Sequence, residues 1–216
     1  AIGRAGIRSV SLAPESGSEK IRFDIGKKVP DAAYFKAAGL LRSAGVSKFN
    51  LYMLAGLPGE DDRATDETGR FIRAFLESVK GAHVSVNLNV VVPKPRTPLQ
   101  FMAMARKDDI RSSVARMREV CRASGAGISV KGLRSAMDQA RISLGGEGVG
   151  RAAARFAAGG TSWKRALRDE GVDPDLIHAD RSSDGVLPWE KVFGRGEREA
   201  LAARYRKVSG RDDQIC

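Results

Sequence analysis

A parallel α/β fold with a C-terminal helical appendage is what this sequence predicts, on three observations. From Gly6 to about Leu133, strand-like and helix-like stretches alternate, which is the rhythm of βαβ units. The three principal strand-like runs each end in a loop that combines Gly or Pro with polar side chains. After Arg134 no strand-like run follows, and short helical patterns take over.

Taken in order, Ile7–Leu12 (IRSVSL) reads as a strand stopping at Ala13-Pro14, with apolar residues on both faces. Ser16 to about Asp24 reads as a short helix. Asp31–Ala44 is a longer one, with Asp31 as its N-cap after Pro30 and Gly45 as its stop. Phe49–Ala55 (FNLYMLA) is a near-continuous apolar run, as expected of a strand covered on both faces. Asp62–Lys80 carries Phe71, Ile72, Phe75, Leu76 and Val79 at helical spacing. Val84–Val92 (VSVNLNVVV) is the clearest strand, Asp108–Ser124 is helical, and Ile128–Leu133 is a fourth strand. Beyond it, helices are predicted at 135–144, 149–158, 162–170, 174–179 and 196–207, with a hinge at Gly145–Gly150. The domains expected are thus 1–133 and 134–216.

Composition narrows the function classes. The 216 residues, 42% hydrophobic and 29% charged, describe a globular chain and exclude wholesale disorder. No apolar run approaches the roughly 20 residues of a membrane helix, so no membrane partner is expected. Two cysteines, Cys121 and Cys216, cannot by themselves hold an iron–sulfur cluster or a disulfide framework; a reducing, cytoplasmic setting follows. The net charge of +11 points to RNA or another polyanion as a partner. The basic residues are nevertheless dispersed, which equally gives plain solubility. The start, AIGRAGIRSVSL, has no Met and enters a strand almost at once, which reads as the interior of a longer protein.

In parallel α/β folds chemistry sits at the carboxyl ends of the strands. The first strand ends in APESGSE (Ala13–Glu19), the second in GLPGEDD (Gly56–Asp62) and the third in PKPRTP (Pro93–Pro98). Glu15 and Ser16 project at the mouth, and Ser16 or Ser18 either caps the next helix or leaves its amides to a ligand carboxylate or ribose hydroxyl. Gly56 and Gly59 permit close backbone approach, so a flat ring could hydrogen-bond to main chain there; a plain turn is the alternative. Glu60, Asp61 and Asp62 fall in the first turn of the following helix, complementing its dipole. Val91 and Val92 could lie against an adenine face. His83 and His178 stand alone, Cys121 reads as packing, and Trp163 and Trp189 read as packing anchors within helical segments.

The ordered set SLAPESGSEKIRFDIGKK, NLYMLAGLPGEDD and NVVVPKPRTPLQFM resembles the second half of a radical S-adenosylmethionine enzyme, over about residues 5–105. The cobalamin-binding and methylthiotransferase-like branches are the most similar. The resemblance implies a partial TIM-like (β/α) barrel binding S-adenosylmethionine at its top. Glu15, Ser16 and Ser18 would serve the ribose and amino-acid end of the cofactor, and Lys27 its carboxylate. Leu54 to Leu57, Gly56 included, would offer backbone to the adenine, with Val92 and Pro93 near the ring. The C-x-x-x-C-x-x-C run that holds the [4Fe–4S] cluster in such enzymes is missing from this sequence, and Gly145-Gly146-Glu147 is too late to be their GGE-like motif. The expected partner is therefore an N-terminal part of the same protein that carries the cluster. Cobalamin is a possible further cofactor. LPWEKVFGRG, Leu187–Gly196, resembles the tail of the cobalamin-binding members and otherwise reads as a hydrophobic clip. The expected function is part of a radical S-adenosylmethionine enzyme transferring methyl or methylthio groups, inactive by itself. The alternative is a basic α/β module that binds nucleic acid without chemistry.

Overall fold

In the computed structural model, residues 5–181, 186–193 and 197–209 are described. Four strands, β1 (Ser9–Glu15), β2 (Lys48–Ala55), β3 (His83–Val90) and β4 (Gly127–Val130), form one parallel sheet in the order β1-β2-β3-β4. Between β1 and β2 run α1 (Glu19–Asp24) and α2 (Asp31–Ser43), between β2 and β3 runs α3 (Asp62–Ser78), and α4 (Lys107–Ser124) precedes β4. The chain divides into two compact units. The first holds the residues up to Val90 together with Lys107–Lys131, and the second holds Val91–Arg106 and everything from Gly132 onward. Residues 91–106 thus fall within the expected first domain by sequence yet pack in the second unit.

In the first unit the core lies on one face of the sheet. Phe49, Leu51, Met53 and Ala55 of β2 and Val84, Val86 and Leu88 of β3 are buried there. They meet Tyr34 and Ala38 of α2, Phe71, Ile72 and Phe75 of α3, and Met117 and Cys121 of α4. Phe71 and Phe75 are neighbours on α3, their ring centroids 6.2 Å apart, and Phe49 meets Phe75 edge-on at 5.7 Å. Burying each such aromatic side chain contributes roughly 1.5–3 kcal/mol.

The other face is polar. It carries Ser9 and Ser11 of β1, Lys48, Asn50, Tyr52 and Leu54 of β2, His83, Ser85, Asn87 and Asn89 of β3, and Ser129 of β4, each exposed or half-buried. The expectation that β2 is covered on both faces is therefore corrected. Its buried residues alternate with less buried ones, and Tyr52 is 40% exposed. Sequential strand order with α2, α3 and α4 on one face means that successive crossovers wind in the same sense. A doubly wound sheet would instead reverse direction to cover both faces.

Boundaries shift in physically readable ways. β1 runs on through Pro14 to Glu15. Leu12 pairs with Leu51 but Glu15 pairs with Met53, so three steps on β1 match two on β2. That bulge ends on Glu15 in the left-handed region, φ 66°. α1 starts at Glu19 rather than Ser16. Asp31 does not cap α2; Pro30 occupies the N-cap position, and the Asp31 carboxylate instead receives the Arg22 guanidinium. β3 ends at Val90, and β4 ends at Val130, because Leu133 opens the next helix.

The second unit is helical: α5 (Leu133–Leu144), α6 (Glu147–Ala157), α7 (Trp163–Asp169), α8 (Glu190–Phe193) and α9 (Arg198–Ser209), with 3-10 turns at Pro98–Phe101 and Leu176–His178. Only Gly145 and Gly146 of the expected hinge break the helices; Glu147 to Gly150 are the first turn of α6. No described helix is long and apolar enough to cross a membrane.

Candidate functional site

The loop after β1 is fixed from beneath by a side chain that sequence reasoning missed. Arg22 is fully buried. Its Nη1 donates to the Ser16 carbonyl at 2.9 Å, its Nε to the Val29 carbonyl at 3.3 Å, and its Nη2 to the Asp31 carboxylate. The guanidinium lies 5.5 Å from the Tyr34 ring centroid and 5.2 Å from that of Phe71, where cation–π attraction adds to the ion pair. Gly17 closes the loop against α3. Its N–H donates to Thr68 Oγ1 at 3.2 Å, and a Cβ there would stand 2.2 Å from the Thr68 Cα. The one local signal for Arg22 is its place between Ile21 and Phe23, and that signal points the wrong way: Arg22 faces inward while Phe23 is 40% exposed.

With the loop held so, the expected residues divide. Ser16 and Ser18 are both buried. Ser16 Oγ accepts the Ser18 N–H at 3.1 Å, and Ser18 occupies the N-cap of α1 without a side-chain capping bond. Ser18 holds the N-cap position, but neither serine side chain makes a capping bond, so the capping alternative is not the one realised. Glu15 and Lys27 do come together: Lys27 Nζ donates to Glu15 Oε1 at 2.7 Å and also to the Ala13 carbonyl. The pair is half-exposed, with side chains 24% and 32% accessible. The Tyr34 hydroxyl reaches the Ala13 carbonyl at 3.4 Å. Burial pushes its pKa up, opposed by Arg22 and assisted by Glu15.

The loop after β2 is pinned by its own acid. Glu60 Oε2 accepts the N–H groups of Gly56 at 2.5 Å and Leu57 at 3.1 Å, and Oε1 accepts the Ser113 hydroxyl of α4 at 2.7 Å. Glu60 therefore lies in the loop, not in the first turn of α3 as expected. Asp61 is the N-cap, its Oδ1 accepting the Ala64 N–H at 2.8 Å, and Asp62 pairs with Arg116 at 2.7 Å. The expected backbone donors to a ring, Gly56 and Leu57, thus already have an acceptor. Gly56 and Gly59 adopt φ 84° and 76°, left-handed positions that glycine takes without strain. Leu54 lies in register with Asn89 on the polar face, one residue beyond the Met53 that pairs with Glu15.

Val92 and Pro93 belong to the second unit. There Arg96 takes φ 58° and its N–H donates to Gln100 Oε1, which also accepts the Trp189 indole N–H at 3.0 Å. Trp189 sits in the turn before α8, and Trp163 opens α7 against Phe156. Lys94 Nζ donates to Ser143 Oγ at 2.9 Å, and burial lowers its pKa. Leu187 and Trp189 of the predicted tail are buried; 194–196 lie outside the described residues, as does Cys216. Cys121 is fully buried, its thiol pushed up to about 11 by desolvation. His83 is exposed and His178 Nδ1 bonds the Met104 carbonyl at 2.9 Å. Among the described residues no group of His, Cys, Asp and Glu is placed to hold a metal ion.

No protein-family model matches the chain. It is 30% identical over 93 residues to an uncharacterized protein of Methanocaldococcus jannaschii, a match that takes in 43% of this chain and 20% of the relative. The chain therefore spans about a fifth of the length of the curated relative it resembles.

Proposed function

We propose that this chain contributes the S-adenosylmethionine-binding strand ends of a radical S-adenosylmethionine enzyme that transfers methyl or methylthio groups, its sheet being part of a TIM-like barrel wall. The observation that carries the reading is the register of β1 and β2. It sets Glu15 beside Met53, so the ESGS and GLPGE loops leave adjacent parallel strands. Sequential order with helices on one face and a polar opposite face suits a barrel wall.

The residues fit the cofactor in part. The half-exposed Glu15–Lys27 pair offers one anion and one cation, the complement of a zwitterionic amino-acid group. Ser18, at the same loop, has a hydroxyl without a capping bond. With the Gly56 and Leu57 amides held by Glu60, the main-chain contribution of 54–57 to an adenine falls to carbonyl oxygens, which accept from its amino group. When bound, the sulfonium supplies a transferable methyl group or, on one-electron reduction, the radical that starts the reaction. A [4Fe–4S] cluster does not fit the described residues, for Cys121 is a buried thiol in the core. Its thiolates must come from another segment, and no described residue is assigned to cobalamin. Ion pairing supports the alternative, a nucleic-acid module, less well. Arg116, Arg141, Arg151 and Arg155 each sit against a carboxylate, so they do not line up as a free basic stripe.

Calorimetric titration with S-adenosylmethionine tests the proposal. Glu15→Ala and Ser16→Ala should each weaken binding about tenfold or more, the value of one charged hydrogen-bond partner, while Asp61→Ala leaves affinity unchanged. Absence of saturable binding, or equal losses at all three positions, rejects it.

A further inference from the structure

One cation in the second unit breaks the pattern that others keep. Where a described guanidinium leaves the surface, acceptors meet it: Asp31 for Arg22, Glu190 for Arg198, Asp138 for Arg141, and the carbonyls of Met102, Ala179 and Leu176 for Arg181. Lys94 is half-buried in the loop after β3. Among the described residues its Nζ has one partner, the uncharged Ser143 hydroxyl of α5 at 2.9 Å. Burial alone moves its pKa, downward, with no carboxylate opposing the shift. Taking an ammonium out of water without a counter-charge is unfavourable, and a lysine stem is long enough to carry its charge outward instead. The last turn of α5 favours a cation, yet Lys94 donates to a side chain there and not to a terminal carbonyl.

The donor balance names what is missing. An ammonium has three N–H groups, and Lys94 spends one on Ser143. A serine oxygen that accepts such a bond keeps its own O–H to give, and no described acceptor takes it. Two N–H groups, one O–H and a positive charge are thus gathered at one point, with no acceptor for them among the described residues. The loop holds this arrangement ready. Pro93 and Pro95 flank Lys94 and restrict its backbone, and its carbonyl accepts the Thr97 hydroxyl at 2.8 Å. Arg96, at φ 58°, is fixed through Gln100, whose Oε1 takes both the Arg96 N–H at 2.9 Å and the Trp189 indole N–H at 3.0 Å. A stiff loop presenting a cation that lacks an anion has its order in place before a ligand arrives.

We infer that Lys94 and Ser143 bind an oxyanion, a phosphate or carboxylate group of a ligand, which accepts charge-assisted bonds from the ammonium and one bond from the serine hydroxyl. This goes beyond the S-adenosylmethionine reading, which gives neither residue a role, and does not depend on it. The LPWEK segment acquires a task as well: its indole supports the anion-binding loop through Gln100.

Inorganic phosphate and acetate are the probes, each added to the 216-residue chain at constant ionic strength while NMR follows the backbone amide signals of positions 94 and 143. At least one anion should shift both signals saturably. Tighter phosphate assigns a phosphoryl ligand, and tighter acetate a carboxylate. Lys94→Met, which keeps the stem and loses the charge, should weaken binding about tenfold or more, and Ser143→Ala about threefold or more. Stability separates a binding lysine from a structural one. Without anion, Lys94→Met should unfold at the same temperature as the parent chain or higher, because a desolvated charge has been removed. With phosphate, the parent's midpoint should rise more than the variant's, the difference reporting bound ligand and not the general effect of the salt. No saturable shift with either anion overturns the inference. Undiminished binding in Lys94→Met overturns it too, as does a lower midpoint of that variant without anion. Titration with S-adenosylmethionine keeps the two readings apart. If Lys94→Met abolishes that binding, the anion is the cofactor's own carboxylate and a separate site is rejected. Phosphate or acetate binding by a chain that does not bind S-adenosylmethionine upholds the site and rejects the cofactor reading.

Discussion

The loops that end β1 and β2 leave neighbouring strands, and a single charged side chain pins each, but from opposite directions. After β1 a cation from α1 comes up from the core: Arg22 takes main-chain carbonyls of the loop and of the segment before α2. After β2 an anion within the loop folds back: Glu60 takes main-chain amides. The difference decides what each loop has left to offer. The first, with its carbonyls engaged from below, presents side chains, namely the Glu15–Lys27 pair. The second, with the amides of Gly56 and Leu57 consumed, has carbonyl oxygens left in their place, and that of Leu57 already accepts the Glu60 N–H at 3.2 Å. A site built from both has charge on one side and neutral acceptors on the other.

The contrast can be broken at either pin. Arg22→Met should be the most damaging change, because it leaves the Ser16 and Val29 carbonyls without their donor and removes the partner of Asp31. A loss of about 3 kcal/mol or more is expected in denaturant unfolding; under about 1 kcal/mol would show that the first loop stands without its cation. Gly17→Ala tests the same loop from its other side. The added methyl meets the α3 backbone, and overpacking of this kind costs about 1–3 kcal/mol, read as a lower midpoint at unchanged slope. Glu60 sharpens the comparison. Glu60→Ala should cost about 1–3 kcal/mol by stranding the amides of Gly56 and Leu57, whereas Glu60→Gln, keeping one acceptor oxygen for both, should cost under half of that. Equal losses for the two would mean that the charge, not the acceptor, holds the loop. Smallest is Asp61→Ala, which removes only the bond to the Ala64 N–H of α3; about 1 kcal/mol is expected, with the GLPGE loop's amide exchange unaltered.

The elements of the first unit were legible because long patterns carry them. Phe71, Ile72 and Phe75 sit at helical spacing on α3 and all three are buried, and the Val-Ser-Val-Asn-Leu-Asn-Val run of β3 alternates as its burial does. What the sequence concealed was short or two-valued. α1 has six residues, too few for a period to reveal that Arg22 faces in and Phe23 out. Tyr52 and Leu54 are apolar by type, so β2 read as covered on both sides; their register beside Asn87 and Asn89 is a property of pairing, invisible in one strand. The same limit applies to the site. The motifs direct attention to Glu15, Lys27, Gly56 and Leu57 as candidates, but that Lys27 reaches Glu15 and Glu60 occupies the amides depends on loop geometry. Val92 and Pro93 are contiguous with β3 in sequence, yet Val91–Arg106 belongs to the unit of the helices that follow Gly132.

The bulge in β1 gives that strand a parity. Counted straight from Leu12, which points toward the helices, Glu15 is three positions on and would project from the sheet's polar side, level with Leu54. The extra residue uses up one of those steps, so the carboxylate lies instead toward α2, near Lys27 and Tyr34. Side of projection is therefore set by a count, not by the identity of any residue. Deleting one of Ala13 and Pro14 leaves an even, straight count and keeps the carboxylate where it is, while relieving the left-handed turn at Glu15. Adding one residue with the bulge retained transfers the same carboxylate to the floor of amides and hydroxyls, placing a negative charge where the fold now has none. A single codon gained here would move a negative charge from one side of the sheet to the other without substituting any residue, whereas a codon lost would leave it in place.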